Sequence, residues 1–135
     1  MTSQELRTFV IDFINYKMPF NQLLSFTVNH LHSEHVEIKL VWDDKLMGNP
    51  VHTILHGGVT AAVLDTVGSL AALLYGVNGL TNENSVNAFY QQLPNNGTLD
   101  MRVDYLRPSK GEEFVAIAQV IRRGKKTSSM QDGFT

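Results

Sequence analysis

The chain has no cysteine. That excludes disulfides, thiolate nucleophiles, and cysteine-based zinc or iron–sulfur sites, and it suits a reducing compartment, so a cytoplasmic location is expected. It also lacks a strong charge of either sign. With 11 basic and 13 acidic side chains the formal net charge is −2, too weak a field to expect a nucleic-acid partner. The opening stretch MTSQELRTFVIDFINYKMPF has no basic leader segment and does not read as a secretory signal. The 135 residues suit one domain, residues 1–135, large enough to stabilise its own core.

Charge is scarcest in HTILHGGVTAAVLDTVGSLAALLYG, residues 52–76, where Asp65 is the lone acidic or basic (Lys/Arg) side chain. Val59 to Tyr75 approaches the length that crosses a bilayer. It is, however, rich in Ala, Gly, Thr and Ser, carries Asp65 near its middle and has no basic flank. A buried core helix is expected, with no membrane partner.

Ser3 to Tyr16 reads as an amphipathic helix. Thr2 or Ser3 caps it, Glu5 sits in its first turn, and Pro19 ends the segment. Leu23–His32 and His35–Trp42 read as a strand pair joined near Ser33-Glu34. In the second strand Val36, Ile38, Leu40 and Trp42 share one face. Asp43 to Pro50 reads as a loop. The apolar helix starts near Gly57 or Gly58 and stops at Gly76 or Gly79. Within Asn82–Asn96 a short helix is expected over a cleft. Thr98–Leu106 alternates like a strand, Pro108–Gly111 turns, and Phe114–Arg122 is a further strand closed by Gly124. The fold class is α+β, an antiparallel sheet around one long buried helix.

Several residues in this frame have chemical potential. The first turn of a helix presents unpaired N–H groups, and glycine allows close approach to them. Gly57 and Gly58 therefore suit either an oxyanion site or merely a tight turn. Asp65 lies seven residues beyond Gly58, on nearly the same face and roughly 10 Å along the axis. A shielded carboxylate there suits a general base or nucleophile, or else a water-bonded structural role. The gap is too long for Gly58 and Asp65 of one chain to act on one carbonyl. Two antiparallel copies of the helix close it, so a homodimer with two equivalent sites is expected.

Ser69, at i+4 from Asp65, can position a water, although close helix packing is slightly favoured. His56 suits an orienting role. Asn49 suits either amide donation to a carbonyl or turn formation. His30, His32 and His35 near the first hairpin raise a zinc reading, but apart from Glu34 no acidic residue completes a ligand set, and no metal is expected. Arg102, Arg107, Lys110, Arg122, Arg123, Lys125 and Lys126 can hold nucleotide phosphates or form an ordinary solvated surface.

LHGGVTAAVLDT together with LDMRVDYLRPSKGEEFVAIAQVIRRG resembles the hotdog-fold acyl-CoA thioesterases of the phenylacetyl-CoA thioesterase type, over approximately residues 20–125. The resemblance implies a long central helix wrapped by the sheet, paired subunits, and commonly a dimer of dimers. It implies that the helix starting at Gly57 and Gly58 polarises a thioester carbonyl. Asp65 of the partner subunit would then activate water or attack directly, while His56 and Asn49 orient the thioester. Ser69 occupies the place where some relatives carry a water-positioning hydroxyl. Acyl-CoA would lie with its phosphates near Arg107, Pro108, Arg122, Arg123 and Lys125, and no cofactor is needed.

Two departures accompany the resemblance. Asn82–Asn96 is longer than a simple link, which suggests a lid or an acyl pocket with Phe89 and Tyr90 as walls. The tail TSSMQDGFT is polar and poorly patterned for strand, so the C-terminal strands are expected to be truncated. A non-catalytic acyl-CoA binder and a hotdog acyl-thioester dehydratase or hydratase are the competing readings.

Overall fold

The computed structural model describes residues 1–24, 26–31, 35–124 and 128–134, with residues 29–31, 123 and 128–134 described as backbone. Helix α1, Ser3–Asp12, is capped by Thr2, whose hydroxyl accepts the Glu5 N–H at 3.1 Å. A wider π-helical turn, Phe13–Lys17, extends it, closed by Met18 N–H donating to the Phe13 carbonyl. Asn21 donates from Nδ2 to the Ile14 carbonyl in this turn.

The first helical segment stops before Pro19 as expected, with Met18 extended, the conformation that a following proline favours. Pro19 then opens a second short helix, α2, Pro19–Leu24, because proline is pre-set for the first helical position, where no N–H is needed. Strand β1, Phe26–Leu31, therefore begins three residues later than the alternation suggested. The turn expected at Ser33-Glu34 lies outside the described residues.

β1 pairs antiparallel with β2, Val36–Val41. β2 also pairs antiparallel with β5, Glu113–Arg123, placing Ile38 opposite Ala116 and Leu40 opposite Phe114. The expected loop, Asp43–Pro50, holds a 3₁₀ turn, Asp44–Leu46, and a short strand β3, Met47–Asn49, which forms a small ribbon with β4, Ile54–Leu55, beyond the loop.

Helix α3, Gly57–Asn78, runs 22 residues and closes at Gly79, whose N–H donates to Gly76. Its apolar length would also suffice to cross a membrane. Here Val63, Val67 and Leu70 are fully buried, in one core with Ile38 and Leu40 of β2, Leu6 and Val10 of α1, and Ile14 of the π-helical turn. Ala116 and Ala118 on β5 are fully buried too, and their small side chains let α3 lie close to the sheet. Helix α4, Glu83–Gln92, begins with a reciprocal Asn82–Ser85 cap and ends in a 3₁₀ turn, Leu93–Asn95. Val86 is its buried anchor.

Two strand expectations are corrected. Thr98–Leu106 forms no strand: Leu99 is 85% and Leu106 93% exposed. Alternation supplies a strand's faces, but a strand also needs a neighbour to take its backbone hydrogen bonds, and no described strand pairs with this segment. Conversely, the polar tail is strand. β6, Ser128–Phe134, pairs antiparallel with β5 through a ladder that includes Ala118 opposite Asp132. A ladder made of backbone groups needs no apolar pattern at a sheet edge. The described sheet runs β1-β2-β5-β6.

Candidate active site

The N-terminus of α3 is built by its neighbours. His56 caps the helix in extended conformation, and its Nδ1 accepts the Gly58 N–H at 2.8 Å. Accepting there requires an unprotonated Nδ1, which leaves Nε2–H as the ring's donor. His56 N–H donates to the Leu46 carbonyl at 2.9 Å, tying the cap to the loop before β3. That approach depends on Gly48, where a Cβ would meet the His56 Cα at 2.7 Å. Gly58 likewise keeps clear the space taken by the imidazole, which would lie 2.9 Å from a Cβ.

Asn49 forms the turn that follows β3. Its Oδ1 accepts the N–H groups of Val51 at 3.0 Å and His52 at 3.3 Å, so Nδ2 is the edge left to donate. The same turn places Thr53 at φ +54°, a left-handed conformation in which a β-branched residue is strained.

Asp65 is half-buried on α3, and its Oδ1 accepts a hydrogen bond from Thr98 Oγ1 at 2.6 Å. Such a short distance is characteristic of a hydroxyl donating to a carboxylate. Ser69 is half-buried one turn further on, but the hydroxyl that reaches Asp65 is that of Thr98. Thr66 turns to its own helix and donates to the Ala62 carbonyl. Thr98 belongs to the segment expected as strand, which instead meets α3 a second time where Tyr105 Oη donates to the Gly57 carbonyl at 2.8 Å. The stretch 98–112 is pinned further along at Ser109 and Glu112, whose carbonyls accept the N–H groups of Leu55 and Trp42. Sequence reasoning singled out neither Thr98 nor Tyr105 as a site residue. Tyr105 lay within the motif that carried the resemblance, but Thr98 gave no signal beyond its place at the start of that run.

The remaining expected residues lie further out. Phe89 and Tyr90 are half-buried on α4, and Tyr90 packs edge-on against Phe9 of α1 with ring centroids 5.3 Å apart. Arg107 and Pro108 are exposed in the pinned segment, and Arg122 is exposed near the end of β5. The Arg123 side chain and Lys125 lie outside the described residues, as do His32 and the His30 side chain. His35 Nε2 sits 3.7 Å from Glu37. A cleft of about 160 Å³, lined by Ser3, Gln4, Arg7, Val77, Asn78 and Leu80, opens at the other end of α3.

A glycine-rich helix start and a hydroxyl-bonded carboxylate two turns along it form an arrangement that can bind a carbonyl oxygen and activate a nucleophile. The thioesterase superfamily model matches residues 52–131, which include the whole of α3, the segment between α4 and β5, all of β5 and the start of β6. The chain belongs to the thioesterase superfamily. It is 32% identical over 130 residues to the medium/long-chain acyl-CoA thioesterase YigI of Escherichia coli K12, covering 95% of this chain and 82% of that one. A Shewanella oneidensis protein related to the thioesterase superfamily superposes with a TM-score of 0.90 at 35% identity, covering 98% of this chain and 86% of the other. Mouse thioesterase superfamily member 2 superposes at 0.67 with 23% identity, over 98% of this chain and 84% of its own, a likeness of fold alone. This thioesterase therefore has the hotdog fold, with α3 as the central helix, and it is a thioester hydrolase.

Proposed function

We propose that this thioesterase hydrolyses medium- or long-chain acyl-CoA to the free acid and CoA, working as a homodimer with two equivalent sites between its paired α3 helices. The acyl-length assignment draws on the likeness to YigI. The observation that carries the chemistry is the Thr98–Asp65 hydrogen bond at 2.6 Å, which holds a carboxylate on the same helix that opens with Gly57 and Gly58.

In this reading the thioester carbonyl docks at the first turn of α3, where the helix presents its free donors and partial positive charge. His56 Nδ1 occupies the acceptor position of Gly58 N–H, and the oxyanion takes that position as the carbonyl binds. Asn49 Nδ2 and His56 Nε2–H orient the thioester. Asp65 of the partner subunit removes a proton from water, and the water oxygen attacks the carbonyl carbon. The tetrahedral intermediate then collapses with breakage of the C–S bond, and the CoA thiolate takes up the proton. Direct attack by Asp65 through an anhydride is the alternative route to the same products. Ser69 contributes packing space beside Asp65. Phe89 and Tyr90 line the acyl path, and Arg107, Pro108 and Arg122 lie near the CoA phosphates.

Dimers pair further into a dimer of dimers, a reading supported by exposed Val41, Ile117 and Ile121 on β2 and β5. The cytoplasm is the proposed location, in keeping with a CoA substrate and a chain without cysteine. The dehydratase reading is disfavoured by the likeness to thioesterases over most of the chain.

The test offers the enzyme acetyl-, octanoyl-, palmitoyl- and phenylacetyl-CoA and follows thiol release. Octanoyl- or palmitoyl-CoA should be turned over fastest. No thiol release from any acyl-CoA would sink the proposal, and a phenylacetyl-CoA preference would overturn its chain-length part.

A further inference from the structure

Tyr105 donates from Oη to the Gly57 carbonyl at 2.8 Å, and its ring lies over the same residue, with Cε1 3.3 Å from where a Gly57 Cβ would stand. The Gly57 carbonyl and the Gly58 N–H belong to one peptide group. A hydrogen bond donated to an amide oxygen draws electron density toward that oxygen and makes the N–H of the same amide a stronger donor. The structure continues this chain on the far side, where Gly58 N–H donates to His56 Nδ1 at 2.8 Å.

We infer that Tyr105 is a positioning residue that strengthens the oxyanion donor through the Gly57–Gly58 peptide. This inference rests on the proposed hydrolytic reading and adds a phenol that does not touch substrate. Negative charge develops on the thioester oxygen in the transition state more than in the bound substrate. A stronger Gly58 donor therefore lowers the barrier more than it tightens substrate binding. The phenol also fixes the peptide plane, since its ring and its hydroxyl hold Gly57 from one direction.

The experiment compares wild type with Tyr105→Phe, which keeps the ring and loses the hydroxyl. In single turnover with octanoyl-CoA, the rate of thioester cleavage should fall about three- to tenfold with KM little changed, a fraction of the effect of deleting an oxyanion donor outright. The Gly58 amide proton should move upfield in the nuclear magnetic resonance spectrum, which loss of packing alone would not cause because the ring remains. As a second variant, 3-fluorotyrosine placed at position 105, at a pH where the phenol stays protonated, should raise the rate above wild type. An unchanged rate in Tyr105→Phe, a change confined to KM, or a fluorotyrosine rate equal to wild type overturns the inference. These outcomes are separable from failure of the hydrolytic reading, in which the wild-type enzyme itself would release no thiol.

Discussion

Thr98 and Asp65, 33 residues apart in the chain, meet through a hydroxyl-to-carboxylate hydrogen bond of 2.6 Å. One residue comes from the central helix and the other from the segment that leaves α4. The bond restrains the carboxylate and occupies one lone pair of Oδ1; in the proposed mechanism Oδ2, outside that bond, meets the water or the carbonyl carbon.

The first prediction concerns this bond. Thr98→Val keeps the shape and removes the donor. A lost hydrogen bond to a charged group is worth about 1.5–3 kcal/mol, so kcat on octanoyl-CoA should fall about 10- to 100-fold. Thr98→Ser should restore most of it. Steady-state thiol release on the three proteins checks both statements.

The helix cap supplies the second. His56→Ala removes the acceptor of Gly58 N–H and should cost about 1 kcal/mol of stability as well as most of the turnover. His56→Asn should recover the stability, because its side-chain oxygen can cap, but not the turnover, because the imidazole Nε2–H is gone. Thermal melts together with kcat separate the two roles.

Gly48 gives a prediction remote from the chemistry. Gly48→Ala places a methyl 2.7 Å from the His56 Cα, a backbone atom that cannot swing aside. The β3–α3 junction must shift, at a cost of about 1–3 kcal/mol. Urea denaturation should show the lower midpoint with unchanged slope, and kcat should fall with it.

Core packing gives the fourth. Leu70 is fully buried in α3 beneath the sheet. Leu70→Ala should destabilise the fold by about 2–5 kcal/mol, measured by urea unfolding.

The central helix and strand β2 were legible in the sequence because each obeys a simple period: a long run between glycine boundaries for α3, and strict alternation at Val36, Ile38 and Leu40 for β2. The placement of the candidate residues His56, Gly57, Gly58 and Asp65 was legible for the same reason, since one helix carries three of them and His56 caps it. Where alternation was the only signal it misled. Leu99, Met101 and Tyr105 alternate in a segment that forms no strand, while SSMQDGF lacks the pattern and forms β6. Strand formation depends on what lies alongside, and local periodicity carries no such information. Thr98 was hidden for a related reason: its partner is distant in sequence, and the strand reading gave it no partner on α3.

The site is proposed to be shared, with Gly58 from one chain and Asp65 from the other acting on one thioester, and mixed dimers test this most directly. An Asp65→Ala chain and a Gly58→Val chain, each inactive alone, are unfolded together, refolded as a mixture and assayed for thiol release from octanoyl-CoA. Random pairing makes half of the dimers mixed, each with one intact site, so about a quarter of wild-type activity should return. A mixture as inactive as its two components would contradict the account.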